Sequence, residues 1–195
     1  MTFKELVEQR KIEARRNNLT EVRADIHKAW VQEKITKFCN NFDGIFTSED
    51  VSTKILEDDM FATFFIKDPS KQNITEKLVE ECLRIKKLPA SGNNCVRFDD
   101  RGNLVHKSGD DITKSADFKI GDVYYTQKYT REAGGAQDNQ RKDVVEFLKK
   151  GSIHHKVGAI LDGDYWDNFN RQELCSHFKD NDNVIITRVD ELRGD

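Results

Sequence analysis

The strongest indication of the fold comes from residues 115–128, which read Ser115-Ala116-Asp117-Phe118-Lys119-Ile120-Gly121-Asp122-Val123-Tyr124-Tyr125-Thr126-Gln127-Lys128. Two runs rich in apolar, aromatic and β-branched residues are separated here by a Gly-Asp turn, which predicts an antiparallel hairpin. Asp117 stands at the head of the first strand and Lys128 at the end of the second. We therefore expect an acid and a lysine to meet at one edge of a sheet.

The sequence around this hairpin predicts an α/β core. A helix that follows Asn73 and a short hairpin near residues 95–106 come first. The pattern after residue 128 continues with a helix at 141–150, a strand at 157–161, a helix at 171–178 and a strand at 183–189. Three or four strands followed by alternating helices and strands are typical of a central mixed β-sheet flanked by helices.

The first third of the chain predicts helices only. Apolar residues recur at helical spacing between Phe3 and Phe42, and Asn17-Asn18 predicts a break between two helices. Another helix is expected to start at Ser48, because a serine side chain can accept a hydrogen bond from a free amide of the first turn. We expect a helical N-terminal part, residues 1–72, and an α/β core, residues 73–195.

The composition limits the classes of function. The 195 residues suit one domain, or one domain with a small appendage, and suffice to bury a core. Hydrophobic residues make up 36% of the chain and charged residues 34%, with a formal net charge of −3. No overall basic field points to nucleic acid, so any nucleic-acid-binding surface would have to be local.

The cysteines and the apolar runs indicate the compartment. Four cysteines are spread without a C-x-x-C pair, which predicts neither a zinc site nor a disulfide framework. No apolar run approaches the ~18 residues of a membrane span, and the charged N-terminus does not resemble a secretory signal. We expect a cytoplasmic protein with reduced thiols and no membrane partner.

The order acid, strand, lysine, helix resembles the PD-(D/E)XK nuclease superfamily, and in particular the type II restriction endonucleases. The resemblance covers residues 75–191 and includes the glycine pair Gly134-Gly135 before a helix start. It implies a restriction-endonuclease-like core that hydrolyses phosphodiester bonds of double-stranded DNA. It also implies Mg²⁺ as the cofactor and no organic cofactor. A divalent cation suits this chemistry because it polarises the phosphate and activates a water molecule.

The resemblance implies roles for the residues of the hairpin and of the preceding helix. Asp117 is expected to bind the metal, and Lys128 is expected to be the catalytic lysine that offsets charge on the phosphate. A further acid comes from the preceding helix, where Glu76 and Glu80 lie one turn apart. The expected catalytic set is Asp117, Lys128 and Glu80, with Glu76 as a further metal ligand.

One position departs from the family pattern. An acid is expected two residues before the lysine, but this chain has Thr126 there. Threonine is neutral and is a poor substitute for a carboxylate ligand of a hard cation. Another acid then takes that place, either Glu80 or Glu146 on the following helix, or the enzyme is impaired, or the register of the motif is different.

In the alternative register, Asp117-Phe118-Lys119 is itself the D-x-K motif. Asp99 or Asp100 would then be the opening acid. We prefer the register that ends at Lys128, because its strand leads directly into the glycine pair and the helix that should follow an active site of this kind.

The start of the following helix is rich in amides and basic residues. Amide side chains offer donors and acceptors to base edges, and free helix amides attract phosphates, although helix capping also explains such a cluster. The residues expected to bind DNA are Arg131, Gln137, Asn139, Gln140, Arg141 and Lys142.

Cleavage of both strands of a duplex needs two active sites, so the expected assembly is a homodimer. Residues 1–72 are expected to contact DNA or to form the dimer interface. Two alternatives remain open from the sequence. One is a repair or structure-specific nuclease, and the other is a DNA-binding or assembly module that has kept the fold but lost the acid at position 126.

Overall fold

The computed structural model describes residues 1–68, 72–131 and 137–194. The chain divides into two compact units. The helical unit is Leu6–Ile74, and the sheet unit combines Met1–Glu5 with Thr75–Asp195. The first five residues therefore group with the sheet unit, whereas the sequence predicted residues 1–72 as one part.

Within the described residues, the helical unit contains four helices. They are α1 (Phe3–Ala24), whose first turn belongs to the sheet unit, α2 (Ala29–Asn41), α3 (Ser48–Glu57) and α4 (Asp59–Ala62). Their apolar side chains, among them Val22, Ile35 and Ile55, form a core together with Phe65, which follows α4. None of the helices in the described ranges is both long enough and apolar enough to cross a membrane.

The helix break predicted at Asn17-Asn18 is wrong. Helix α1 runs through both residues, and the chain leaves it only after Ala24. The side chain of Asn18 is buried and donates a hydrogen bond to the Lys67 carbonyl at 2.8 Å, and it accepts one from Gln72 at 3.1 Å. Since the amide group bonds outside its own helix, it does not compete for the helix backbone.

Helix α3 begins at Ser48 as predicted, but its cap is the preceding residue. The Thr47 hydroxyl accepts from the Asp50 amide at 3.1 Å, and the Asp50 carboxylate accepts from the Thr47 amide at 3.1 Å. This reciprocal pair of hydrogen bonds satisfies two helix-end donors at once.

The sheet unit contains a mixed four-stranded sheet flanked by helices. Its elements are α5 (Ile74–Leu83), β1 (Arg97–Phe98), β2 (Leu104–Val105), β3 (Phe118–Ile120), β4 (Val123–Tyr129), α6 (Gln137–Gly151), β5 (Val157–Asp162), α7 (Arg171–His177), β6 (Val184–Thr187) and α8 (Val189–Arg193). The strand order is β3-β4-β5-β6. Strand β3 is antiparallel to β4, whereas β4, β5 and β6 are parallel. The predicted α/β class with a mixed sheet is confirmed.

Strand β5 lies inside the sheet and is buried at every residue. Burial on both faces is typical of a strand in a parallel sheet that helices cover on both sides. On one face, Val144, Phe147 and Leu148 of α6 join Val157, Ala159 and Leu161 of β5 in a common core. This packing holds β4, and with it the hairpin, against the rest of the unit.

The β1–β2 hairpin forms as predicted but stays outside the four-stranded sheet. Its residue Phe98 is fully buried and meets the ring of Phe147 on α6 with 5.2 Å between centroids. The hairpin is therefore fixed to the helix by aromatic packing rather than to the sheet by a ladder of hydrogen bonds.

The end of β5 touches the end of β4 at one glycine. Gly163 has a φ of +96°, and a Cβ at this position would lie 2.4 Å from the Thr130 carbonyl oxygen. Thr130 in turn donates its amide to the Asp162 carbonyl at 3.0 Å. Only a residue without a side chain allows this approach of the two backbones.

We expect Gly163→Ala to destabilise the protein by about 3 kcal/mol or more, because it adds a backbone clash to an unfavourable φ. The matched control is Gly121→Ala, where φ is +61° but the space around the Cβ is open. That variant should lose only about 1 kcal/mol. Urea unfolding of both variants checks the difference, and equal losses would show that the contact with Thr130 has no effect.

Candidate active site

The β3–β4 hairpin sets the geometry of the candidate active site. Phe118 pairs with Tyr125, and Ile120 pairs with Val123 across the turn. This register places Asp117 opposite Thr126. Side chains two residues apart on a strand point to the same face, so Lys128 shares that face with Thr126 and Asp117.

Two donors from β4 hold the carboxylate of Asp117. The backbone amide of Gln127 donates to its Oδ2 at 2.7 Å, and the hydroxyl of Thr126 donates to the same oxygen at 3.3 Å. Thr126 is buried. It stands at the position where an acid was expected from the sequence, and its hydroxyl acts as a donor to Asp117. It adds no negative charge to the site.

The electrostatics of Asp117 show which charged groups are close to it. Burial raises the pKa of its carboxyl above the ordinary value, and the Glu76 carboxylate adds to the rise. The Lys128 ammonium, the Gln127 amide and the Lys87 ammonium act in the opposite direction and favour the ionised form. The charges of Lys128, Lys87 and Glu76 therefore all act on the Asp117 carboxyl.

Helix α5 supplies the carboxylates of Glu76 and Glu80, and both meet Lys87. The Lys87 ammonium lies 2.5 Å from Glu76 Oε2, and the Lys87 backbone amide donates to Glu80 Oε1 at 2.7 Å. Both glutamates thus bind one residue of the segment that follows their helix.

The segment that contains Lys87 runs beside β3. Lys87 forms an antiparallel bridge with Phe118, and the amide of Leu88 donates to the Asp117 carbonyl at 2.8 Å. Through this segment the helix acids reach the hairpin. Sequence reasoning missed Lys87, because nothing in its local sequence distinguishes it from its neighbour Lys86.

The donor set suits a magnesium ion in kind but not in number. Carboxylate oxygens are the ligands that Mg²⁺ prefers, and Asp117 and Glu76 provide them. Within the described ranges, however, no group of three or more Asp, Glu, His or Cys side chains is placed to hold a metal ion. One oxygen of Glu80 is engaged by a backbone amide, and the Glu76 carboxylate is engaged by an ammonium group.

Glu146, expected as a substitute ligand, belongs to a different set of ion pairs. Its carboxylate lies 2.6 Å from the Lys150 ammonium, and the same ammonium lies 2.7 Å from Asp100. The structure therefore brings Glu146 together with the β1–β2 turn, not with Asp117.

The residues of the alternative register have structural partners. Asp99 accepts hydrogen bonds from the amides of Arg101 at 2.9 Å and Asn103 at 2.8 Å, which shapes the β1–β2 turn. Asp100 pairs with Lys150, and the ammonium of Lys119 lies 4.8 Å from the centre of the Tyr124 ring. The structure does not join these acids with Lys119 in one group.

The residues expected to bind DNA fall into three sets: exposed residues, one residue whose side chain is not described, and residues that already bind other side chains. Arg131, Asn139 and Lys142 are exposed after β4 and along the first turns of α6. Gln137 is the first residue of α6, but its side chain lies outside the described part of the structure, as does Gly134-Gly135.

Gln140 and Arg141 already bind other residues. The Gln140 side-chain oxygen accepts from the Thr130 hydroxyl at 2.9 Å, and the Thr130 hydroxyl accepts from the buried indole of Trp166 at 3.1 Å. Arg141 forms an ion pair with Glu173 at 2.7 Å. Both side chains connect α6 to neighbouring elements, so a role in DNA binding would be additional to a structural one.

A comparison with protein-family models, with curated proteins and with solved structures found no match for this chain. The function must therefore be inferred from the residues of the site and their geometry.

A buried acid, Asp162, lies at the end of β5, and sequence reasoning did not select it as a site residue. Burial raises the pKa of Asp162 to about 7, opposed by a hydrogen bond from the Val189 amide, and the carboxylates of Asp190 and Asp167 raise it further. No such rise could be read from the sequence, because it depends on how deeply α8 covers the strand end.

We expect Asp162→Asn to stabilise the protein more at high pH than at low pH. The folded wild type holds this carboxyl neutral up to a pKa of about 7, whereas the unfolded chain ionises it near the ordinary value of 3.8. The stability that accompanies the neutral form is therefore present below about pH 4 and is lost as the pH rises through 7.

Asparagine does not titrate, so the advantage of the variant should grow by roughly 2–3 kcal/mol between about pH 5 and about pH 8. Urea unfolding at both pH values measures it, with the exposed Asp180→Asn as the control. An advantage that does not change with pH would contradict the expectation.

Proposed function

We propose that this chain is a Mg²⁺-dependent endonuclease of the PD-(D/E)XK kind that cleaves double-stranded DNA, most similar in function to a type II restriction endonuclease. One observation carries the proposal. The register of the β3–β4 hairpin places Asp117 opposite Thr126 and Lys128 on the same face, while α5 brings Glu76 within electrostatic reach of Asp117. A restriction-endonuclease-like core is part of the same proposal.

Asp117 and Lys128 have the chemistry that the reaction requires. The two donors from β4 fix the orientation of the Asp117 carboxylate, so it need not reorganise to receive a cation. The Lys128 ammonium offsets negative charge that develops on the scissile phosphate. Asp117 and Glu76 would hold Mg²⁺. A divalent cation at this place would polarise the phosphate and lower the pKa of a water molecule.

Glu80 is a positioning residue in this proposal. Its carboxylate accepts from the Lys87 amide and so fixes the segment that borders β3. The expected catalytic role of Glu80 is thus replaced by a role in holding Asp117 in place, and Glu76 becomes the acid that α5 contributes to the metal.

Substrate binding is proposed for the exposed residues near the start of α6. Arg131 and Lys142 can contact phosphates, and the amide of Asn139 can contact a phosphate or a base edge. We further propose a homodimer, because a duplex break requires two such sites, with the helical unit contacting DNA or the second copy. The DNA substrate and the free cysteines favour a cytoplasmic location.

A second candidate function follows from Thr126. Its hydroxyl preserves the orientation of Asp117 but leaves the site one carboxylate short. A chain that has kept the fold and lost the reaction would bind DNA without cutting it.

We expect the wild-type protein to cut plasmid DNA in the presence of Mg²⁺, and Lys128→Ala and Asp117→Asn to lower the rate at least roughly a hundredfold. The matched control is Lys119→Ala, which removes a lysine of the same hairpin that packs on Tyr124. It should keep its rate within about threefold, since it touches no group of the site. Gel analysis of supercoiled plasmid measures the rates, and circular dichroism checks folding.

The pattern of products separates the candidate functions. Discrete bands support a restriction endonuclease, and a smear supports a nuclease without sequence specificity. Shifted but uncut DNA supports the binding module. Loss of activity in Lys119→Ala with full activity in Lys128→Ala would reject the register on which the proposal depends.

A further inference from the structure

The helical unit exposes much apolar surface between the end of α2 and the residues after α4. Half of the large apolar side chains that are exposed in the described residues lie in this part of the chain. Ile45, Met60 and Phe64 are 75%, 77% and 74% exposed, and Phe42 and Phe46 are 44% and 42% exposed. We call these five side chains the apolar patch. At about 200 Å² for a fully exposed side chain of this size, they present roughly 600 Å² of apolar surface, which is enough to mark an interaction site.

The aromatic members of the apolar patch form one continuous surface. The ring centroid of Phe38, on α2, lies 4.8 Å from that of Phe42 and 6.1 Å from that of Phe46. It also lies 5.6 Å from that of Phe61, whose ring meets Phe64 at 6.4 Å. A chain of ring contacts therefore connects the loop after α2 with the residues after α4.

The loop that carries Ile45 has a backbone fixed by hydrogen bonds. Asp43 and Gly44 have positive φ values of 51° and 73°, which end α2. The Gly44 amide donates to the Cys39 carbonyl at 3.1 Å, and the Ile45 amide donates to the Phe42 carbonyl at 3.0 Å. Because this turn is already ordered, a partner that binds Ile45 does not have to order it.

The charged residues beside the apolar patch are almost all acidic. Residues 42–66 contain six acids and a single base. Three of these acids have structural roles. Asp50 belongs to the reciprocal cap at the start of α3, and Asp58 and Asp59 form ion pairs at 3.2 Å and 2.7 Å.

Within the described part of the chain, the side chains of the other three acids have no hydrogen-bond or ion-pair partner. All three are exposed and stand within three residues of a patch side chain; they are Asp43, Glu49 and Glu57. Their charge repels DNA phosphates and anionic lipid head groups, and the same patch of a second copy would bring the same acids. An apolar surface bordered by positive charge is the complementary partner.

We propose that the apolar patch is a docking surface for a basic amphipathic helix of a partner protein. Apolar side chains three and four residues apart on that helix would pack on the patch, and its flanking Lys or Arg residues would pair with the three acids. The inference goes beyond the proposed function and does not depend on it, since none of these residues belongs to the candidate active site. The contact proposed between the helical unit and DNA or a second copy would then use another face.

The test measures the binding of two labelled synthetic peptides to the full chain by fluorescence anisotropy. Each peptide has about 18 residues, or five helical turns, with leucines on one face. The opposite face carries lysines in one peptide and glutamates in the other. We expect the lysine peptide to bind at least about tenfold more tightly, because only its charges complement the acids.

Phe64→Ser should weaken binding of the lysine peptide at least about fivefold, because it removes the largest highly exposed ring of the patch. The matched control is Phe169→Ser, which removes a phenylalanine that is 71% exposed outside the patch. It should change the affinity less than about twofold. Both side chains are largely in solvent, so both variants should fold, which circular dichroism checks.

A pair of charge variants tests the acids. Glu57→Lys should weaken binding of the lysine peptide about fivefold, and a cation in the last turn of α3 is favourable for the helix itself. Glu33→Lys reverses an exposed acid of α2 outside residues 42–66 and should change the affinity less than about twofold.

Several results would overturn the inference. They include no binding of the lysine peptide, equal binding of both peptides, and equal affinities of Phe64→Ser and Phe169→Ser. Sedimentation velocity of the protein alone gives another test, since a dimer that Phe64→Ser dissociates would assign the patch to a second copy. Flotation with vesicles of phosphatidylcholine and phosphatidylglycerol would assign it to a membrane if Phe64→Ser abolished the binding. Plasmid cutting is a separate measurement, so the proposed nuclease can stand or fail independently.

Discussion

The hydrogen bond from the Gln127 amide to the Asp117 carboxylate is the contact on which the site depends. The Gln127 amide lies on β4 just beyond the last residue pair of β3 and β4. Within the described part of the chain it has no backbone acceptor from β3 there, and the Asp117 side chain accepts its hydrogen bond instead. The backbone of Asp117 is fixed as well, since its amide donates to the Tyr125 carbonyl at 2.7 Å and its carbonyl accepts from Leu88 at 2.8 Å. The acid therefore has a defined orientation on the face that it shares with Lys128.

Asp117, which is partly buried, and Asp162, which is buried, show how neighbouring charges change the effect of desolvation on a carboxyl pKa. Desolvation raises the pKa of both Asp117 and Asp162. Asp117 has two lysines near it that favour the charged form, whereas Asp162 has two further carboxylates and only one guanidinium, that of Arg188. The first environment suits a group that must act as an anion. The environment of Asp162 makes the folded protein less stable as this carboxyl ionises.

The errors of sequence reasoning have a common physical origin. Asn17-Asn18 has the local chemistry of a helix break, but the burial of Asn18 directs its side chain to Lys67 and Gln72. Glu146 was a reasonable candidate ligand by its place after the lysine, yet Lys150, one turn further on, pairs with it. The partners of Asn18 come from a distant part of the chain, and Asp100 of the β1–β2 turn shares Lys150 with Glu146; local pattern does not reveal such long-range contacts.

Local sequence patterns were sufficient to predict the hairpin, the mixed sheet and the shared face of Asp117, Thr126 and Lys128. These follow from strand propensity, turn chemistry and the period of two along a strand, which are properties of neighbouring residues. The pairing of Glu76 with Lys87, their effect on the pKa of Asp117 and the burial of Asp162 are known only from the folded protein. Those placements depend on contacts between segments far apart in the chain, and the energies of such contacts leave no period or motif in the sequence.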